Sequence, residues 1–168
     1  MNKHFSVKKI AILGVLLGLN LVLSQFSIHT WDLKIGFAFV TIVVAAVLYG
    51  PVEAAIIGGL GDILGWVINP IGAYFPGFTV TAILTGICFG LLLHKNISLV
   101  KIIIAAAINQ FFIGLVLNTI CIMILYGSAL AAILPARAIQ SAALFVVQAL
   151  VIIILQKLLF PRLKKVAV

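Results

Sequence analysis

Apolar stretches of about 20 residues, the length a helix needs to cross a bilayer, recur along this chain from near its start to near its end. The 168 residues are 65% hydrophobic and only 8% charged, with a mean hydropathy of +1.38. A water-soluble domain of this size leaves roughly a third of its chain surface in water, and so few polar groups cannot cover it. Lipid is the solvent for most of the surface. The chain reads as a single all-α, polytopic membrane domain, 1–168, with no linker or low-complexity segment dividing it. Its first residues, MNKHFSVKKIAILG, begin like a signal peptide. The absence of a small-x-small cleavage pattern, with the apolar run continuing beyond, predicts a retained first span.

Hydropathy places six helices, at Ile10 to Phe26, Ile35 to Tyr49, Val52 to Ile68, Thr79 to His94, Leu99 to Tyr126 and Ala136 to Phe160. Lysine and arginine concentrate on the cytoplasmic side of membrane proteins, so their distribution tests the count. With both termini cytoplasmic, Lys3, Lys8, Lys9, Lys95, Lys101, Lys157, Arg162, Lys164 and Lys165 fall inside, leaving Lys34 and Arg137 outside. The formal charge of +8 thus marks topology and contact with anionic lipid headgroups, not nucleic-acid binding.

Catalytic chemistry has little raw material here. No G-x-x-x-x-G-K-[ST], H-E-x-x-H, C-x-x-C or G-x-S-x-G pattern occurs. The three acidic residues are far apart and the three histidines lack ligand spacing, so no metal and no cofactor is expected. Cys88 and Cys121 lie in apolar runs and read as small buried hydrophobes. The glycine cluster GGLGDILG, 58–65, suits close helix approach better than nucleotide binding.

The remaining polar and aromatic residues gather toward the outward ends of the helices. Asp62 lies deep in the third span, where a carboxylate costs about 2.5 kcal/mol or more unless it faces a partner or a polar cavity. Asp62, Trp66 and Asn69 follow i, i+4, i+7 and share a face that leads to the segment VINPIGAYFPGFTV, 67–80. Its prolines and glycines break the helix. Non-helical backbone survives at membrane depth only when packed against protein, so the segment Asn69 to Thr79 is expected to be a lid, with Tyr74 and Phe75 offering flat faces to a ring system. The alternative is an aromatic anchor at the interface; Trp31 carries the same two readings. On the last span Arg137, Ser141 and Gln148 point roughly one way. Arg137 either snorkels to headgroups or turns inward toward an anion, with Lys34 the other outer cation. Asn109, Gln110, Asn118 and Thr119 either bond across helices or line a cavity. On the first span Ala11, Gly14 and Gly18 form a small-residue face, open to packing within the bundle or to a second protein.

Several segments, in this order, resemble the folate-family substrate-binding (S) subunits of energy-coupling factor (ECF) vitamin transporters: LVLSQFSI (21–28), KIGFAFV (34–40), LYGPVEAAIIGGLGDILG (48–65), YFPGFTVTAILTGICFGLLL (74–93) and LPAR (134–137). The resemblance implies a six-helix subunit in a bacterial plasma membrane that captures a water-soluble vitamin in an outward pocket closed by its loops. Its partners would be a transmembrane coupling (T) subunit and two cytoplasmic ATPases, with toppling in the bilayer to release the cargo. It also implies that Ala11, Gly14 and Gly18 dock on the coupling subunit. The residues expected to form the pocket are Gln25, Trp31, Lys34, Asn69, Tyr74, Phe75, Thr79, Arg137 and Gln148. One position departs from the family: Gln25 follows Ser24 where folate members often carry arginine. Folate ends in two carboxylates, and losing a guanidinium removes a bidentate, charge-assisted contact. Pantothenate or another small vitamin is the alternative cargo, and a stand-alone facilitator or channel the alternative class.

Overall fold

The computed structural model describes residues 7–25, 28–30, 33–70, 72–127 and 130–158. Among them are six helical segments. Helix α1 (Val7–Gln25) is followed by strands β1 (Ile28–Thr30) and β2 (Leu33–Ile35), then α2 (Phe39–Tyr49), α3 (Pro51–Ile68) and α4 (Pro76–Leu93). A continuous fifth segment comprises α5 (Leu99–Ala107), a π-helical stretch (Ile108–Leu117) and α6 (Asn118–Tyr126); α7 (Leu130–Leu158) completes the bundle.

Five segments, 7–25, 51–68, 76–93, 99–126 and 133–158, are long and apolar enough to cross a membrane. Large apolar side chains such as Val15, Leu91, Ile124 and Ile139 point outward on several helices. That is the surface lipid requires.

The membrane bundle is helical, as expected, with one small addition. Residues 28–30 and 33–35 form an antiparallel ribbon pairing Ile28 with Ile35 and Thr30 with Leu33. Ile35 therefore leaves the second span, and α2 begins at Phe39 instead. Its short length is tolerated because α2 is enclosed: Thr41 to Val47 are all buried, the pattern of a helix surrounded by protein on every side.

A single residue joins α2 to α3. Gly50 takes φ +108, which side-chain-bearing residues rarely adopt, and Pro51 follows at the first helical turn. Helices α3 and α4 pack most closely of all. A Cβ at Gly58 would lie 2.4 Å from the Ala82 carbonyl oxygen, and one at Gly86 would lie 2.4 Å from that of Ala54. The glycine cluster thus serves close helix approach, as its composition suggested. Asn20 of α1 donates to Thr41 Oγ1 of α2 at 2.6 Å and to the Ala38 carbonyl at 2.9 Å. Its amide fills the space left by Gly61, where a Cβ would sit 2.2 Å from Asn20 Oδ1. At the other end, Lys9 pairs with Glu53 and lies 5.5 Å from the centre of the Tyr49 ring, joining the starts of α1 and α3 to the end of α2.

Candidate functional site

One end of the bundle collects the end of α1, the end of α3, the start of α4 and the end of α6. Asn69, capping α3, donates from Nδ2 to Gln25 Oε1 at 3.1 Å. Gly72, in the connection to α4, comes so near Tyr126 that a Cβ there would sit 2.7 Å from the phenol oxygen. Strand β2 lies against α7. That places Lys34 at this end; its side chain, like the whole of Trp31, lies outside the described residues.

The connection is shorter than expected. Pro76 opens α4 at a position where proline is favoured, so Thr79 is a buried helical residue and the connection between α3 and α4 is bounded by Asn69 and Phe75. Two contacts hold this segment to α3. Trp66 donates from Nε1 to the Gly72 carbonyl at 3.1 Å, and its ring meets that of Tyr74 at 5.3 Å between centroids. Tyr74 Oη lies 2.9 Å from Thr79 Oγ1, which donates to Asp62 Oδ2 at 2.8 Å. Phe75 folds back over Gly77, edge-on to Phe78. Asp62 therefore has a partner, and the Asp62, Trp66, Asn69 face does lead to the connection.

Deeper between α4, the fifth segment and α7 lies a second polar group. Thr85 donates to Asn109 Oδ1 at 2.8 Å and Thr81 to Asn118 Oδ1 at 2.7 Å. Asn109 Nδ2 and Gln110 Nε2 both donate to Gln148 Oε1, each at 3.1 Å. The π-helical stretch carries both donors; its wider turn is seen where the Asn118 N–H bonds five residues back to the Ile113 carbonyl. Gln148 is 1% exposed. Among the described residues, Gln148 Nε2 and Thr119 Oγ1 have no hydrogen-bond partner. Buried polar atoms are normally satisfied, so these two are atoms that a bound molecule could complete.

The stripe on α7 faces the bundle, with Arg137 at 8%, Ser141 at 5% and Gln148 at 1% exposure. Arg137 is turned inward, with a guanidinium nitrogen 3.4 Å from the Gly114 carbonyl oxygen. Its placement differs from expectation in one respect. Helix α7 starts at Leu130 and carries Pro135 inside it, so Arg137 stands about two turns into the helix and not at its first turn. Ala11, Gly14 and Gly18 behave in the opposite way. All three are exposed on α1, and Cβ atoms at Gly14 and Gly18 would meet nothing within 4 Å.

Thr81 and Thr85 were not singled out from sequence. Each also lies within hydrogen-bond distance of a carbonyl of its own helix, Phe78 and Thr81 respectively, so its single hydrogen is shared between two acceptors, and threonine approaches such carbonyls in so many helices that its presence carries no separate signal.

The comparisons with known proteins agree with this architecture. The chain is 33% identical over 151 residues to the folate transporter FolT of Clostridium novyi (strain NT), covering 87% of this chain and 88% of that protein. It is 32% identical over 150 residues to FolT of Leuconostoc mesenteroides subsp. mesenteroides, covering 84% and 80%. Its backbone matches a crystal structure of FolT bound with folic acid with a TM-score of 0.83 and 31% identity, over 87% of this chain and 92% of that one. The fold is shared more distantly with the S component of a bacterial ECF transporter, at a TM-score of 0.63 and 20% identity over 91% and 98%. Residues 8–159 match the family described as ECF transporter, substrate-specific component. With nearly the whole bundle inside that match, the chain belongs to the substrate-specific components of ECF transporters.

Proposed function

We propose that this subunit binds folate in the bacterial plasma membrane and delivers it through a coupling subunit and two ATPases, which supply the energy. The observation that carries this reading is the fit to FolT bound with folic acid, a TM-score of 0.83 over 87% of the chain. In it, all six helices cross the bilayer with both termini cytoplasmic, and residues 1–168 act as one domain. The segment from Asn69 to Phe75 is the lid, with Tyr74 and Phe75 against the ring system and Gln25 and Asn69 at the rim. Arg137, Lys34 and Trp31 meet the carboxylate tail. Thr79 and Gln148 belong to the polar lining below.

Folate has both the long flat ring system and the anionic tail that such a lining can use. Arg137 and Gln148 are eleven residues apart on α7, about 16 Å at the helical rise. A buried cation and a buried amide at that separation suit an elongated molecule with a carboxylate at one end and hydrogen-bonding ring edges at the other. One observation favours pantothenate as a second reading: the uncharged Gln25, already bonded to Asn69, stands where folate members often carry an arginine.

Calorimetry on detergent-purified protein decides between them. Tight binding of folate that excess pantothenate does not displace is expected, and pantothenate binding without folate binding would reverse the assignment. Proteoliposomes holding this subunit alone should bind folate without accumulating it, and accumulation should require the coupling subunit, the ATPases and ATP. ATP-independent uptake by the subunit alone would make it a facilitator.

A further inference from the structure

Asp62 is a carboxylate well inside α3, and its contact with Thr79 is the first link of a chain that ends on the lid. An ionised carboxylate only accepts hydrogen bonds, and a threonine hydroxyl has one hydrogen to give. Thr79 gives that hydrogen to Asp62 Oδ2 at 2.8 Å. Its oxygen can then only accept, so the hydroxyl of Tyr74, 2.9 Å away, must be the donor. The order is Tyr74 to Thr79 to Asp62, and hydrogen bonds in such a series polarise and strengthen one another. One turn along α3, Trp66 holds the same segment by a bond to the Gly72 carbonyl and by its ring against Tyr74.

We propose that Asp62 is a positioning residue for cargo retention: acting through Thr79 and Tyr74, it latches the segment 69–75 shut without touching the cargo itself. This rests on the folate-binding reading in one respect, that segment 69–75 is the lid of the binding site. The latch itself exists whether or not the cargo is folate. Lid opening governs release more than capture, so loss of the latch raises the dissociation rate far more than it changes the association rate. Asp62→Asn keeps the shape and removes the charge. Tyr74→Phe keeps the ring against Trp66 and removes only the hydroxyl.

Two measurements on the detergent-purified protein test it. The first is hydrogen–deuterium exchange of the backbone amides of residues 72–75, made without cargo. Asp62→Asn and Tyr74→Phe should each speed it about tenfold, the factor that corresponds to about 1.4 kcal/mol, with the amides of α2 and α4 unchanged. The second is folate release by stopped flow. Asp62→Asn should release folate about tenfold faster with association within twofold, and the double variant should be no faster than the faster single one. Unchanged exchange at 72–75 in Asp62→Asn would overturn the latch. Faster exchange throughout the bundle would also overturn it, showing that Asp62 holds the fold. Faster exchange with unaltered release, or rates that multiply in the double variant, would remove the link to retention. If the unaltered protein binds no folate, the cargo assignment fails, while the exchange measurement still decides the latch.

Discussion

Asn109 and Gln148 meet inside the bundle, the Asn109 carboxamide donating to Gln148 Oε1 at 3.1 Å, and the neighbouring Gln110 gives a second bond to the same oxygen. One acceptor thus satisfies two donors from consecutive residues, while the buried Gln148 amide nitrogen has no hydrogen-bond partner among the described residues. Replacing Gln148 by leucine would strand the buried donor of Asn109 and the half-buried one of Gln110, and an unsatisfied buried polar group costs about 1–3 kcal/mol. Gln148→Leu is expected to lower the thermal unfolding temperature of the cargo-free protein and to weaken folate binding at least tenfold. Differential scanning fluorimetry and calorimetry read the two effects. Folate affinity within twofold of the parent would place Gln148 in the scaffold only.

Arg137 carries a different kind of demand. Its side chain is 8% exposed and faces the fifth helical segment. A charge-assisted bond to a carboxylate is worth about 1.5–3 kcal/mol, so Arg137→Ala should weaken folate binding roughly 10- to 100-fold. An analogue without the glutamate carboxylates should lose less than threefold. Lysine at this position restores the charge without the planar fork and should recover only part of the loss. Equal losses for both ligands in a titration would assign Arg137 to bundle packing.

The α3–α4 seam makes a prediction about the fold. A methyl group at Gly86 would lie 2.4 Å from the Ala54 carbonyl oxygen, which is backbone and cannot swing aside. Gly86→Ala must push two helices apart, and overpacking of this kind costs roughly 1–3 kcal/mol. A lower unfolding temperature in detergent is expected, with folate affinity falling alongside because α4 carries Thr79, Thr81 and Thr85. An unshifted unfolding transition would mean that the helices can separate freely here.

How much of this was readable beforehand depended on whether a residue's partner was local. Helix α3 and the segment Leu99 to Tyr126 came out within a residue of their hydropathy limits because Gly50 with Pro51, Ser98 and Gly127 punctuate them. That Arg137, Ser141 and Gln148 share one direction followed from helical spacing, while the inward turn of Arg137 was one of two readings that spacing left open. What spacing could not supply were distant partners: Thr85 on Asn109, Gln25 on Asn69, Tyr126 beside Gly72. Strands β1 and β2 fall in the connection between the first two spans, where hydropathy carries no strand signal, and only their last residue, Ile35, belongs to the run that hydropathy assigns to the next helix. Hydropathy started the last helix at Ala136, yet α7 runs from Leu130 through Pro135. Hydropathy also carries no sign of a π-helical stretch, although it is that stretch which brings Asn109 and Gln110 to one acceptor.

The last prediction separates two kinds of glycine. Gly61 is occupied space, with Asn20 Oδ1 2.2 Å from where its Cβ would be, whereas Gly14 and Gly18 on α1 have nothing within 4 Å. Ala11 is exposed on the same helix. Within this chain, then, leucine at Gly14 and Gly18 meets no obstacle, and the isolated subunit should keep its unfolding temperature and its folate affinity within twofold. A face of small residues matters in a membrane when another helix must come close, since packing, and not the hydrophobic effect, drives helix association there. The doubly substituted subunit should accordingly fail to co-purify with a coupling subunit and support no ATP-driven folate uptake in proteoliposomes. Gly61→Ala should do the reverse, lowering the unfolding temperature while the α1 face stays competent. If Gly14→Leu with Gly18→Leu assembles and transports like the parent, the docking surface lies elsewhere on the bundle, and the exposed small residues of α1 face only lipid.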